Sequence, residues 1–313
     1  MRDVLLIDGK HVLWRAVDAF QDLSAKQDGQ TFHTGAIYGF LIIVTRVKSQ
    51  VVEGGGYVVV CWDSYGRKLE RQRMFEGYKQ HRGGDGEIPL DRLELIRSMR
   101  DQQDRLRDLL AGLNVPQVHS PGWEADDVMG TLAARWKRIG ARVGVFTGDR
   151  DLLQCADENV QIIRPGKHGA FDIESPNTIM EQYGISPQGF LYAKMLAGDD
   201  GDGIPGVRGI GMKTAAKAVI AAEATGALTV EHVARTAMEV LPQRFHDELE
   251  RQLADDRLKM WYELARIRTN VPLRFTPMTG WDKDRLVKEM MSLDFRSWAQ
   301  PGRLAQLLRL KGG

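Results

Sequence analysis

The chain has 313 residues, 43% hydrophobic and 27% charged, with a net charge of +1. This is an ordinary globular composition with length for one large domain or two smaller ones. No apolar run reaches membrane-span length, and MRDVLLIDGK at the start is too briefly apolar and too acidic for a secretory signal. Cys61 and Cys155 lack CxxC spacing and the histidines are scattered, which excludes a zinc or disulfide framework; the two cysteines read as buried thiols. With the net charge near zero, nucleic-acid binding must be judged from local charge.

In chain order, Val4-Leu5-Leu6-Ile7 reads as a short buried strand. Thr34 to Val51 carries apolar residues at helical spacing. Tyr57-Val58-Val59-Val60-Cys61-Trp62 is a second strand of the same kind. Gly66 to Arg82 follows, with six Lys/Arg against two acids, a local excess that the global charge hides. By itself it fits a solvated amphipathic helix equally well. Gly83-Gly84-Asp85-Gly86 reads as the most flexible stretch of the first half, ahead of a charged helical pattern from Pro89 to Leu110. Glu124 to Ile139 is a helix, Val143-Gly144-Val145-Phe146 a third strand, and Val160 to Arg164 a further one. The alternation predicts an α/β domain around a mainly parallel sheet.

Beyond Tyr183 the pattern turns helical. Ser186-Pro187 pairs a cap with proline at the first helical position. A Gly- and Asp-rich stretch, Gly198 to Gly211, separates that helix from another starting near Met212. A boundary is placed near residue 185.

The first three strands each close on an aspartate: Asp8, Asp63 and Asp149, with Asp151 two residues on. Ligands of open α/β sheets bind beyond the carboxyl ends of the strands, so neighbouring strands would bring these acids together. Glu124, Asp126 and Asp127 open a helix, with Glu124 and Asp127 on one face, and Asp199, Asp200 and Asp202 form a further acidic source. Each acid alone reads most simply as a cap or turn residue. Packed together they repel unless cations neutralise them. An oxygen-only set suits Mg²⁺ or Mn²⁺, and a two-metal phosphodiester centre is the natural chemistry.

Within the basic segment, Lys79 and Arg82 are the best placed to meet a phosphate, and the neighbouring Tyr78 could stack on a base. The glycine hairpin Gly206-Val207-Arg208-Gly209-Ile210-Gly211-Met212-Lys213-Thr214 lets backbone approach a phosphate ahead of a helix N-terminus. It is not a P-loop: Met212 separates Gly211 from Lys213 and no apolar strand precedes it. A helix–hairpin–helix that grips a DNA backbone without reading bases fits better.

Asp8-Gly9, Thr34 to Gly39, Phe75 to Lys79, Glu124 to Asp127, Thr147 to Asp151 and Gly198 to Lys213, in that order, resemble the 5′-3′ exonuclease/flap endonuclease family over most of residues 1 to 275. The resemblance implies a PIN-like catalytic domain over residues 1–185 with a helical arch at about 66–110, and a helical DNA-binding domain of helix–hairpin–helix (H3TH) type over 186–313. It implies that Asp8, Asp63, Glu124 and Asp126 surround one metal ion and that Asp126, Asp149, Asp151 and Asp202 surround the other, with Asp127 and Asp199 in an outer ring. Tyr78, Lys79 and Arg82 match a gateway for single-stranded 5′ ends, with Arg67 and Arg71 on its approach and Gly83 to about Asp104 as its mobile part. The DNA-gripping positions are Gly206, Val207, Gly209, Ile210, Gly211, Lys213 and Thr214. Hairpin carbonyls between Val207 and Ile210 would hold K⁺. Where relatives often carry a small polar residue after the Asp-Gly pair, this chain has Lys10-His11.

The expectation is a monomeric 5′ nuclease of the bacterial or phage-infected cytoplasm, acting on flapped, nicked or gapped DNA. Tyr78, Lys79, Arg82 and Arg71 are its expected catalytic side chains outside the acid set. The products would be 5′-phosphate and 3′-hydroxyl ends. A PIN-type endoribonuclease and a non-catalytic binder of branched DNA are the competing readings.

Overall fold

The computed structural model describes residues 2–27, 29–64, 69–80 and 90–311. β1 (Arg2–Asp8) leads into α1 (Gly9–Ala19), the hairpin β2 (Ser24–Gln27) and β3 (Gln30–His33), and α2 (Gly35–Val51). Then come β4 (Val52–Trp62), the short α3 (Glu70–Met74) and α4 (Leu90–Gly112). β5 (Gln117–His119), α5 (Ala125–Arg138), β6 (Val143–Phe146), β7 (Val160–Pro165) and β8 (Phe171–Glu174) complete the α/β part.

The strands form one sheet in the order β8-β7-β6-β1-β4-β5, extended at its far edge by β9 (Arg274–Phe275). The pairs from β7 through β5 are parallel, and only the edge strands β8 and β9 run antiparallel. The three acid-tipped strands are direct neighbours. Ile7 pairs with both Val60 and Phe146, so Asp8, Asp63 and Asp149 emerge together at one end of the sheet.

Both sheet faces are buried, as the unbroken apolar runs require. The pleat sends Val4 and Leu6 to one face, beneath α5 and the helical half. Leu5 and Ile7 point to the other, beneath α1, α2 and α4. The helical half comprises α6 (Pro176–Tyr183), α7 (Pro187–Ala197), α8 (Met212–Thr225), α9 (Val230–Val240), α10 (His246–Ala254) and α11 (Arg257–Ala265). The start of α7 follows the sequence reading: Ser186 caps it by accepting from Gly189 N at 2.9 Å, with Pro187 in the first turn.

The last forty residues behave differently from the division at residue 185. After β9 joins the sheet, α12 (Lys283–Ser292) and α13 (Pro301–Leu308) return to the α2 side. Leu286, Met290, Trp298, Leu304 and Leu310 bury themselves in the core begun by Leu5 and Ile7. An apolar stripe on a helix shows that it is covered, and not by which surface. Among the described residues no helix is long and apolar enough to cross a membrane.

Candidate active site

An open cleft of about 510 Å³ lies beyond the carboxyl ends of β1 and β6, lined by Asp8, His11, Asp149, Arg150, Asp151, Asp199 and Asp202. Each acid is fixed by its local fold. Asp8 caps α1: one oxygen accepts from His11 N and the other from the Thr147 hydroxyl, both at 3.0 Å. Asp149 accepts from Asp151 N at 2.8 Å. Asp63 accepts from Ala125 N at 3.0 Å and from Lys10 Nζ at 2.9 Å. Oxygens of Asp151, Asp199 and Asp202 lie within 4.8 Å of one another.

The electrostatics show how crowded these carboxylates are. Burial, with Asp63 and Asp149 nearby, raises Asp8 to about 6. Burial raises Asp151 to about 7, helped by Asp149 and Asp202 against the pull of Lys194. Asp126 has no hydrogen-bond partner among the described residues, and burial together with Asp149, Asp8 and Glu124 pushes it well above the carboxylate range. Other acids are held ionised. For Glu124, burial is outweighed by Lys79, Arg71 and the Tyr78 hydroxyl. For Asp63, it is outweighed by Lys10 and the Ala125 N–H. For Asp199, Lys194 does the same.

Three lysines enter the cluster from different sides. Lys10 meets Asp63 at 2.9 Å. Lys79 pairs with Glu124 and reaches Asp202 at 3.4 Å. Lys194 pairs with Asp151 and meets Asp199 at 2.7 Å. Counting Arg71, four cations make direct ion pairs with the nine acids among the described residues, so carboxyl groups outnumber their cationic partners by five. Clustered oxygen donors with uncompensated charge and raised acids are a donor set that divalent cations fit.

Several expectations need correction. Arg71 is not on an exposed approach. It is buried, with its guanidinium forked onto Asp127 at 2.6 and 2.8 Å and also donating to the Leu264 and Arg266 carbonyls at 2.8 Å each. Asp127 is consequently turned away from the cluster, its oxygens accepting from Arg71, Arg268 N at 2.9 Å and Glu124 N at 3.4 Å. Tyr78 offers no stacking face, because its ring is buried in the core. Its hydroxyl serves the acids instead, donating to Glu124 at 2.7 Å and lying 3.2 Å from Asp202. The stretch expected to be mobile as far as Asp104 is helical from Leu90, and Met99, Gln102 and Gln103 are buried; Gln102 Oε1 accepts from Ala36 N at 2.7 Å. Arg67, Arg82 and residues 83–89 lie outside the described residues.

Two models describing the 5′-3′ exonuclease family match the chain: its N-terminal resolvase-like domain over residues 3–184 and its C-terminal SAM fold over residues 185–284. The chain belongs to the 5′-3′ exonuclease family.

Among curated relatives, this family member is 33% identical over 305 residues to DNA polymerase I of Bacillus caldotenax, covering 96% of the chain and 32% of the relative. It is 34% identical over 301 residues to DNA polymerase I of Geobacillus stearothermophilus, covering 94% of the chain and 32% of the relative. The chain thus spans about a third of the length of these relatives. Its fold resembles the zinc-bound 5′-exonuclease of T5, with a TM-score of 0.66 at 16% identity, covering 98% of this chain and 100% of that one. It also resembles flap endonuclease-1 of Methanococcus jannaschii, with a TM-score of 0.57 at 16% identity, covering 98% and 92%.

The glycine hairpin of this family member exposes Arg208, Gly209 and Gly211 and buries Gly206, Val207 and Ile210. Val207 and Ile210 plug into the helical core, while Val207 N donates to Leu196 O at 2.8 Å and Ile210 N to Val207 O at 3.0 Å. Gly206 and Gly209 take φ of 61° and 85°, and a Cβ on Gly206 would overlap the backbone of Ala197 and Gly198. Gly211 caps α8 in extended conformation, ahead of exposed Lys213 and half-buried Thr214. Gln252 braces the hairpin: its amide donates to Gly206 O at 3.0 Å and its oxygen accepts from Trp261 Nε1 at 3.0 Å.

Lys194 and Gln252 were missed by sequence reasoning, and Lys10 had no assigned role. Lys194 did leave a signal. A lysine inside the apolar run from Phe190 to Leu196 is unfavourable unless an acid receives it, and Asp199 lies one turn beyond.

Proposed function

We propose that this chain is a divalent-metal-dependent 5′ nuclease that hydrolyses DNA phosphodiesters at flaps and free 5′ ends, leaving 5′-phosphate and 3′-hydroxyl ends. One observation carries the reading: where β6, β1 and β4 end, nine carboxyl groups converge against four paired cations among the described residues, and burial with crowding raises Asp8, Asp126 and Asp151. Asp8, Asp63, Glu124, Asp126, Asp149, Asp151, Asp199 and Asp202 would hold two Mg²⁺ or Mn²⁺ ions. When bound, such ions lower the pKa of water and offset charge building on the phosphate.

The chain's own groups do the rest. Lys79, buried between Glu124 and Asp202, carries a fixed positive charge to the site where phosphate charge grows. The Tyr78 hydroxyl orients Glu124, and Lys10 and Lys194 keep Asp63 and Asp199 ionised. The exposed Gly209 and Gly211, with Lys213 behind them, would hold the duplex by its phosphates, and hairpin carbonyls would hold K⁺. Residues 3–184 then form the catalytic unit and the H3TH helices the grip. Recognition by backbone shape implies little sequence preference.

Product mapping on end-labelled flap, nicked and single-stranded DNA, with Mg²⁺, Mn²⁺ or EDTA, tests the proposal. Metal-dependent release from the 5′ side that is lost in Asp149→Asn and Asp202→Asn supports it. Normal flap binding with no cutting in either metal refutes it, as does a preference for an RNA hairpin over flap DNA.

A further inference from the structure

A second charged feature lies at the other end of the sheet. β1 pairs Arg2 with Val52 and Asp8 with Cys61, so at about 3.3 Å per residue along β1 the start of β4 is roughly 20 Å from the acids. Beside Val52, between α2 and α13, is a cleft of about 620 Å³ lined by Arg46, Lys48, Arg303 and Arg309, with buried Val52 and Leu310 in its wall. No acid lines it, and none of the three arginines makes an ion pair among the described residues. In a chain whose acids and bases nearly cancel, four cations with no carboxylate partner among the described residues are a local concentration that suits an anion.

Helix stability does not account for them. Arg303 sits in the first turn of α13, where the helix dipole disfavours a cation. Two guanidiniums are instead placed near aromatic rings: Arg303 lies 4.9 Å from the Trp298 ring centroid and Arg46 lies 5.9 Å from that of Phe171. Lys48 is buried and donates to the Arg309 carbonyl. Burial, and after it the charge of Arg309, lowers its pKa.

We infer that this cleft is a second ligand site, separate from the nuclease centre, that takes a small molecule of nucleotide size bearing two or more phosphate groups. The volume falls in the range of small-ligand sites, roughly 300–1,000 Å³. Planar guanidiniums match phosphate oxygens in pairs, and three of them around one cleft can meet more than one phosphate group. The apolar wall at Val52 and Leu310 suits an uncharged ring attached to the phosphates.

The test is calorimetric titration and thermal melting of the whole chain with inorganic triphosphate and with a nucleoside triphosphate. EDTA is present throughout, so that the acids hold no divalent cation and nuclease activity plays no part. Wild type and Asp149→Asn should bind either probe alike and melt higher with it. The double variant Arg303→Glu/Arg309→Glu, at exposed positions, should melt like wild type without ligand and bind about tenfold or more weakly. If that variant fails to fold, Arg303→Gln alone carries the comparison. No binding by wild type overturns the inference, and so does equal binding by the double variant, which would put the anion elsewhere. Flap-DNA affinity that falls in the double variant while neither triphosphate binds wild type would make the cleft a DNA surface, which also overturns it.

Discussion

Replacing Arg71 by Met distinguishes a structural clamp from a DNA contact. Arg71 is 4% exposed and Asp127 0%, so solvent does little to screen the pair. Met keeps the length of the side chain and removes its charge and donors. Asp127 then stays buried with only the Arg268 and Glu124 N–H groups, and the Leu264 and Arg266 carbonyls lose a donor. Breaking a buried pair on one side costs about 3–5 kcal/mol. At a few degrees per kcal/mol for a chain of this size, the melting point should fall on the order of 10 °C. Urea denaturation followed by circular dichroism measures the loss. The double variant Arg71→Met/Asp127→Leu should lose clearly less than the sum of the two single variants, because the stranded carboxylate is gone. If Arg71→Met stays within about 1 kcal/mol of wild type, and flap binding weakens with a salt slope smaller by about 1, the clamp is wrong and Arg71 meets phosphate.

Three further outcomes are expected. In EDTA, stability should fall as pH rises from about 4 to about 7: Asp8 and Asp151, raised to about 6 and about 7, hold protons when folded that the unfolded chain has already lost. Saturating Mg²⁺ should flatten this slope, and a metal-free protein more stable at pH 8 than at pH 5 would contradict it. Lys79→Ala should lower single-turnover flap cleavage by about a hundredfold or more with little change in DNA affinity; an unchanged cleavage rate removes the role given to Lys79. Gln252→Leu strands Trp261 Nε1 and Gly206 O, so it should cost about 1–3 kcal/mol and weaken duplex binding. Full affinity in a destabilised Gln252→Leu protein would show that the brace does not shape the hairpin.

The convergence of Asp8, Asp63 and Asp149 was legible because short β-branched runs signal buried parallel strands, whose carboxyl ends share one side of a sheet. Their adjacency in the order β6-β1-β4 was not, since periodicity carries no information about neighbours. The helical spacing of Glu124 and Asp127 put them on one side of α5, where Arg71 meets both but only Glu124 reaches Lys79. Glu124 is the cap and pairs with Lys79, whereas Asp127 folds back to the Glu124 N–H and takes the fork of Arg71. Which way a capping carboxylate turns depends on a partner from elsewhere in the chain. Tyr78 and Arg71 misled for a related reason. Cations and aromatics in a charged segment read as surface, and only the contacts with Glu124, Leu264 and Arg266 draw them inside. Lys194 was hidden by its apolar neighbours.

The return of α12 and α13 to the first strands also constrains how the chain can fold as it is synthesised. The sheet face formed by Leu5, Ile7 and Val60 is made long before Trp298, Leu307 and Leu310, which are part of its cover. Contacts closing over some three hundred residues of sequence are slow to form. Until those helices leave the ribosome, the nascent chain holds an incomplete apolar face, open to chaperones or to a second copy of itself. A fragment ending before Trp281 would retain the nine acids and the hairpin and still be prone to aggregate, which makes the quiet C-terminal segment a folding element of the catalytic half.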